Sequence, residues 1–462
     1  MEVGEFLTRH LQSLPPDELP DELRGRDLAG FHYGEWLLAR GYDFKAGQAT
    51  TPLFDQYLAF QRANITRWFA ELAGYARQYA ASVGREVLVS GNFFNLFDNY
   101  YALEPSVDVV VTEMRNTTWR QPAWYRYAAG FGGDKPVVVV ENPYGGVVPE
   151  LVEALKRGRA YDRFRQSLYE AAALGVNMSV PYGAWMGSVI EDAFYPPHDL
   201  ATEVQAFIAD HERLSSTRSH SEVGVVFSVP SSWRAIHPEV MGDNRENRPF
   251  QDRDPFWEAC EGLSAALQPY DVVFFPDGSL RPDALAVGDL ARYRTLVLPG
   301  CAWLTDAQAE LLAGYLAGGG RLVACGPLGE NLPAGDRHRL LGHPGTRAVD
   351  PFGFALELLE GGPQVVVAEG ATDAALTLQA PEEGAALHLV RYDYDPEADR
   401  VPPLDRLVLE VRLPFHPGEA RAFSPDGGLA ATLGPGDGGR VRLTLTGAGV
   451  YGIVQLTGGA GR

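Results

Sequence analysis

Cysteine is scarce: the 462 residues contain only Cys260, Cys301 and Cys325. Three thiols cannot complete a disulfide framework, and no CxxC or Cys/His spacing follows the pattern of a metal site. A reducing compartment is expected, and with it a cytoplasmic chain. The opening stretch, MEVGEFLTRHLQSLPPDELPDEL, has neither the basic start nor the apolar run of a signal peptide. No stretch reaches the ~18 continuous apolar residues of a membrane-spanning helix, so no membrane contact is expected. Positive charge is also in deficit: 39 Lys and Arg stand against 60 Asp and Glu, a net charge of -21. A surface of that sign repels phosphate backbones and anionic lipid, which argues against nucleic acid as a partner. It fits a neutral substrate better than a polyanion. No GxGxxG follows a strand in the first part, and no GxxxxGK[ST] or HExxH occurs anywhere. Neither a cofactor nor a metal is expected.

What is present points to an α/β chain of three parts. Hydrophobic residues make up 45% and charged residues 21%, enough to build large cores. Residues 1–219 alternate helical stretches with short apolar runs. Helices are expected over Gly4 to Leu14, Leu28 to Arg40 and Pro52 to Val83, where Leu58, Ile65, Trp68, Phe69, Leu72 and Tyr75 recur at helical spacing. Four strands follow: EVLVSGN (86–92), DVVVTEM (108–114), PVVVVENP (136–143) and NMSVPYGAW (177–185). Continuous β-branched runs between helices indicate parallel strands covered on both faces.

Residues 220–345 open with the strand EVGVVFSV and a loop rich in Ser, Trp, His and Asn. A helix from Asp254 to Leu267 and the strand DVVFFPD come next. The block TLVLPGCAWLTDAQAELLAGYLAGGGRLVACGP then reads as strand, turn, helix, glycine break and strand, with Thr305 as N-cap and glycines 318–320 ending the helix. This is a doubly wound, flavodoxin-like unit. In residues 346–462, PQVVVAEG, ALTLQAP, ALHLVRYDYD, LVLEVRLP, RVRLTLTG and VYGIVQLTG lie between Gly, Pro and Asp turns. That regularity predicts an antiparallel β-sandwich.

The middle block resembles the glutamine-amidotransferase-like trimerisation domain that follows the barrel in family 42 β-galactosidases. Cys301 occupies the turn where true amidotransferases hold a nucleophile, but no His/Glu pair is placed to activate it, and a buried strand-end thiol is the simpler expectation. HLVRYDYDPEADRVPPLDRLVLEVRLP looks like the opening of the C-terminal sandwich of the same enzymes. The first part is similar to the second half of their (β/α) TIM-type barrel, with FLTRHLQSLPPDELPDELRGRDLAGFHYGEWLLARGYD resembling a helical insertion. A complete barrel has eight strands and four are legible, so the barrel is expected to be incomplete. Relatives carry the first four strands and the usual general acid upstream of the position of Met1. A companion chain that completes the barrel is one expectation. Resemblance to a trimerisation domain implies a homo-oligomer, a trimer among the options.

The resemblance implies a glycosidase acting on a small carbohydrate through two carboxyl groups, one protonated and one ionised. In α/β folds the carboxyl ends of the strands hold such groups. Glu141 ends VVVV ahead of Asn142, Pro143 and Tyr144; an acid there is costly unless paired or used. Counted as the end of barrel strand seven, Glu141 is implied as the nucleophile; the alternative is a hydrogen bond to ligand or backbone. Glu113 ends the preceding strand, and neighbouring strands lie ~4.8 Å apart. Glu113 is read as acid/base, as a ligand of sugar hydroxyls, or as a partner of Arg115. Asn92 with Phe93 and Phe94 suits a hydroxyl and a sugar ring, or a plain turn. Trp119, Tyr144, Tyr182 and Trp185, with Trp124 beside them, suit subsite walls or rim packing. Glu35 reads as helical, on a helix whose buried face holds Phe31, Trp36 and Leu38. His237, Asp243, Asn244 and Asn247 read as a solvated loop.

Overall fold

The computed structural model describes residues 20–24, 28, 31–42, 51–113, 120–140, 149–179, 184–185, 188–189, 197–235 and 254–458. A short helix α1 (Tyr33–Leu38) and a long one, α2 (Phe54–Ser82), come first. On α1 the buried residues are Tyr33 and Leu37, and Leu38 faces out, so its apolar face is turned from the one expected. Four strands follow, β1 (Ser90–Asn92), β2 (Val109–Glu113), β3 (Val137–Val140) and β4 (Asn177–Ser179), in one parallel sheet of order β1-β2-β3-β4. Between them run α3 (Pro122–Gly132), α4 (Pro149–Lys156) and α5 (Tyr161–Ala173). A two-residue hairpin, β5 (Ala184–Trp185) with β6 (Ser188–Val189), and α6 (His198–Asp210) close this part. The run expected as one strand from Asn177 to Trp185 is thus two separate strands.

Register and alternation divide the sheet into two unlike faces. Val110, Thr112, Val137 and Val139 are buried, whereas Val109, Val111, Glu113, Val138 and Val140 are half-buried. Parallel pairing sets buried beside buried and half-buried beside half-buried, with Val110 opposite Val137 and Glu113 opposite Val140. One face is therefore apolar core and the other is a partly open floor.

The second sheet is parallel throughout and five-stranded. Its strands are β7 (Val223–Ser228), β8 (Asp271–Phe275), β9 (Thr295–Pro299), β10 (Arg321–Cys325) and β11 (Thr346–Val349), in the order β11-β10-β9-β7-β8. Its helices are α7 (Val229–Ala235), α8 (Pro255–Ala265), α9 (Val287–Leu290), α10 (Asp306–Ala317) and α11 (Ala334–Leu341). β11 carries this sheet past residue 345, because Thr346 to Val349 pair with β10. Thr305 caps α10 as expected, its hydroxyl accepting from the Gln308 amide. Alternate strand residues feed two cores: Val225, Val272, Phe274, Val297 and Val323 face one, and Val226, Val273, Phe275, Leu296 and Leu298 the other. The first of these cores is shared with α3 and β3.

The C-terminal part is two four-stranded antiparallel sheets. One has order β12-β15-β18-β17, from β12 (Val365–Glu369), β15 (Leu407–Val411), β17 (Ala430–Pro435) and β18 (Val441–Thr446); the other has order β13-β14-β19-β16, from β13 (Ala374–Gln379), β14 (Ala385–Arg391), β16 (Pro417–Phe423) and β19 (Tyr451–Gly458). Leu376, Leu387, Leu409, Leu443 and Leu456 fill the space between them. β16 and β17 escape the sequence pattern because they are half-exposed edge strands carrying Pro, Gly and Ala.

The three parts are locked by buried polar groups. Arg126 of α3 donates from Nε to the Tyr270 carbonyl (3.0 Å), from Nη1 to the Leu174 carbonyl (2.7 Å) and from Nη2 to Asp271 (2.7 Å). Asp271 also accepts from Ser219 and Tyr293 and pairs with Arg292 at 3.0 Å. Four residues along, a Cβ on Gly130 would lie 2.4 Å from the Val272 carbonyl oxygen, so only glycine lets α3 sit this close to β8. Toward the C-terminal part, Glu170 of α5 accepts from the Tyr392 hydroxyl and from the Arg120 and Gln121 amides. His388 of β14 bridges the Tyr451 hydroxyl and the Leu214 carbonyl.

Replacing Arg126 by Met is expected to cost about 2–4 kcal/mol, because it removes the buried donor of two carbonyls and one of the two cations on Asp271, which keeps Arg292; urea denaturation measures it. Glu170 and His388 give a second test. Burial pushes Glu170 up from 4.5 to about 7 against its three donors. Its contribution is complete below pH 4.5 and is lost as pH rises through 7. Burial lowers His388 from 6.5 to about 4; its contribution is complete above pH 6.5 and is lost as pH falls through 4. Each spans up to about 3 kcal/mol, and between pH 4.5 and 6.5 the two slopes oppose each other. Glu170→Gln is therefore expected to gain stability relative to wild type as pH rises across this window, and His388→Gln to lose it. Variant profiles parallel to wild type at pH 4.5 and 6.5 would remove both assignments.

Candidate functional site

The carboxyl ends of β1 and β2 converge on one polar pair. Asn92 is the last residue of β1 and Glu113 the last of β2. Asn92 Nδ2 donates to Glu113 Oε1 at 2.8 Å, and Asn92 Oδ1 accepts from the Phe94 amide at 2.7 Å. Both ends of the Asn amide are thereby used: one orients a carboxylate, the other starts the turn that leaves the strand. The turn folds back across β2, where the Phe94 carbonyl accepts from the Glu113 amide at 2.9 Å and from the Thr112 hydroxyl. Phe94 holds a left-handed backbone, with φ at +48°. A bulky residue is strained there, and several hydrogen bonds hold it in place.

An aromatic rim continues from this turn. Phe94 and Phe97 have ring centroids 6.0 Å apart, and Phe97 and Tyr100 6.2 Å. All three are half-buried. Phe93 is not part of the rim: it is buried against Phe69 and Phe131 in the core. Phe97 and Tyr100 were not singled out by the sequence; their signal is the three-residue spacing Phe94, Phe97, Tyr100, which a tight turn carries to one side.

Asp98 is a second feature that the sequence pattern does not mark. It is buried, and burial raises it above the ordinary carboxylate range while the Ser232 hydroxyl and the Arg62 charge oppose the shift. Arg62 donates to Asn99 at 2.7 Å and lies over the Trp233 ring at 4.1 Å. Trp233 belongs to α7, so the second sheet sends a helix to the same end of the first. Arg234 of α7 lies 3.6 Å over the Trp303 ring.

The other sequence candidates fall in three groups. Glu141, Asn142, Tyr144, Trp119 and Tyr182 lie outside the described residues, as do His237, Asp243, Asn244 and Asn247. β3 ends at Val140, immediately before Glu141, and Val140 is the register partner of Glu113. Trp185 lies in β5, paired with Ser188. Trp124 is a core residue, 1% exposed, so it lines no subsite, and Glu35 is an exposed residue of α1. Cys301 is fully buried, and burial drives its thiol far above the ordinary range, which disfavours a thiolate. Among the described residues no group of three or more His, Cys, Asp or Glu converges as metal ligands would. No described helix is long and apolar enough to cross a membrane.

Chemically, the pair offers an acceptor carboxylate held by a neutral donor, beside aromatic rings and above a half-open floor. That combination can grip vicinal hydroxyls and cover an apolar sugar face. Asn92→Asp replaces the donor by a second carboxylate facing Glu113. A loss of roughly 1 kcal/mol is expected at pH 7 and a smaller one at about pH 3, below the ordinary carboxyl range, where like-charge repulsion is relieved. Equal losses at the two pH values, by thermal denaturation, would show that the Asn92–Glu113 contact does not form in solution.

No protein-family model matches the sequence, and no curated protein matches it significantly. Solved structures do. Gan42B, a GH42 β-galactosidase from G. stearothermophilus, aligns with 98% of this chain and 75% of its own, with a TM-score of 0.59 and 12% identity. The α-L-fucosidase isoenzyme 2 of Paenibacillus thiaminolyticus covers 92% of this chain and 75% of its own, at TM-score 0.55 and 15% identity. A β-galactosidase from Bacillus circulans sp. alkalophilus covers 87% and 67%, at 0.56 and 12%. The chain shares the fold of family 42 β-galactosidases and other glycoside hydrolases along most of its length.

Proposed function

We propose that this chain is a glycoside hydrolase that cleaves a neutral glycoside, with a β-galactoside as the first substrate to test. The observation that carries the proposal is the Asn92–Glu113 pair at the carboxyl ends of adjacent parallel strands, in a fold shared with β-galactosidases. In this reading the β1–β4 sheet is the second half of a (β/α) barrel in residues 1–219. The five-stranded parallel sheet is a glutamine-amidotransferase-like domain that does no chemistry, and the paired antiparallel sheets are the C-terminal sandwich.

Glu141 acts as the nucleophile and Glu113 as acid/base or hydroxyl ligand, the roles of a retaining enzyme with ~5 Å between carboxyl groups; a separation of ~6.5–9.5 Å would instead make Glu141 the base that activates water in an inverting one. Asn92 holds Glu113, and Phe94, Phe97 and Tyr100 flank the sugar. The open charge balance of the chain supports a neutral substrate, since 60 acidic groups repel an anionic one.

A second reading is a carbohydrate-binding protein without hydrolysis. It is favoured by the count of four parallel strands in the first sheet among the described residues, half of a closed barrel. A panel of nitrophenyl glycosides separates the two. Hydrolysis is expected, with Glu141→Gln lowering kcat by about 10³-fold or more and Glu113→Gln by about 10²–10⁴-fold if it transfers the proton. Unchanged turnover in Glu141→Gln removes that residue from the mechanism. Sugar binding with no turnover of any glycoside establishes the second reading.

A further inference from the structure

Helix α2 carries two apolar stripes, and among the described residues only one of them is packed against the rest of the chain. Phe60, Ala73 and Ala80 are buried, Phe69 packs on Phe93, and Arg77 pairs with Asp108 at 2.9 Å, which together fasten α2 beside β1 and β2. The other stripe is Ile65, Trp68, Leu72, Tyr75 and Tyr79, between 46% and 67% exposed. The steps along it are three, four, three and four residues, the spacing of a helix seam that meets another helix. Tyr75 and Tyr79 already stack on each other, with ring centroids 6.3 Å apart. Beyond the helix the apolar surface continues to Leu88, 80% exposed, just ahead of β1. β1 is the outermost strand of its sheet among the described residues.

No comparable surface exists elsewhere among the described residues. Eight of the fourteen exposed large hydrophobic side chains lie between residues 65 and 88. With ~150–250 Å² on each of the three aromatic side chains and ~60–120 Å² on each of the five aliphatic ones, these exposures bare roughly 600 Å². That is the upper end of the ~300–600 Å² of the largest patch on an ordinary monomer and most of the ~800 Å² each partner gives to a standard interface. α6, beside the opposite edge of the sheet at β4, has no exposed large hydrophobic residue to match it.

We propose that two copies of this chain associate through α2, seam on seam, about a two-fold axis at Leu72. The stripe is self-complementary when reversed: Leu72 meets its own copy and Ile65 meets Tyr79 of the other copy. An isologous contact of this kind covers both patches at once and closes at two subunits. Charge favours the same face. The chain has a net charge of -21, yet α2 sets Arg62, Arg67 and Arg77 against only Asp55 and Glu71, so the seam lacks the acidic excess that keeps copies apart elsewhere. This association is independent of any sugar chemistry.

Light scattering on the purified full chain from ~1 to ~100 μM tests the proposal, a range in which an interface of this size is populated. The expected mass is that of a dimer of 50.4 kDa chains. Leu72→Glu and Trp68→Glu are expected to weaken association roughly tenfold or more while keeping the wild-type circular dichroism spectrum, since both side chains are exposed in the protomer. Leu72→Cys is expected to form a disulfide between copies under mild oxidation; the native Cys260, Cys301 and Cys325 are buried and do not compete. A monomeric wild type across the range overturns the proposal. So does an assembly, trimer included, whose mass folded Leu72→Glu leaves intact.

Discussion

The architecture turns on one buried cation. Arg126 leaves α3 and spends its guanidinium on carbonyls from two parts of the chain and on the carboxylate of Asp271. Burying an unpaired guanidinium is prohibitive, so α3 can occupy its place only when β8 and the end of α5 are both in theirs. The absence of a side chain at Gly130 allows the helix backbone to approach β8, and Trp124, Tyr127 and Phe131 then fill the space around it. The first and second sheets consequently share a core instead of meeting at a wet boundary. Tyr101 stacked on Phe274 at 4.5 Å, and Glu104 paired with both Lys135 and Arg281, extend the same seal toward the far side.

That seal has a consequence for the polar end of the first sheet. Because β2 and β3 are held in register with their buried residues side by side, their alternate residues necessarily form a second, less covered face. Glu113 lies on it. Asn92 reaches Glu113 from the neighbouring strand, and the turn after Asn92 is returned across β2 by the Phe94 carbonyl. The shared core also brings α7 against the Asp98 turn, where Arg62, Asp98, Ser232 and Trp233 meet. The candidate site is therefore assembled from the first sheet and bordered by the second.

The C-terminal sheets are joined to the first part through α5. Thr377 and Gln379 donate to the last carbonyls of this helix, and Tyr169 stacks on Tyr451 at 4.7 Å. β14 is buried at every position, because one of its faces meets the other sheet and the opposite face meets α5. Glu170 and His388 sit at this junction and titrate in opposite directions for the same reason: burial disfavours whichever form is charged. The opposite titrations offset each other across mildly acidic pH, and two exposed ion pairs, Arg120–Asp373 at 3.1 Å and Arg159–Asp399 at 3.3 Å, brace the same junction.

Much of this was legible in the amino-acid sequence. Local patterns decide local structure: the β-branched runs at 108–114 and 136–143 became the central parallel strands, the runs at 86–92 and 177–185 gave only the short edge strands Ser90–Asn92 and Asn177–Ser179, Thr305 capped its helix, and turn-bounded runs became antiparallel strands. The pair Asn92 and Glu113 could be named because strand ends are recognisable from one segment at a time. What one segment does not hold is its neighbour. Trp124 and Phe93 look like ligand-facing aromatics until packing places them in the core, and the stripe on α2 looks like core until the fold leaves it bare. Asp98 carries no motif, and only burial beneath α7 marks it. Periodicity along a chain reports that a residue has an apolar face; which body covers that face depends on contacts distant in sequence, and those exist only once the chain has folded.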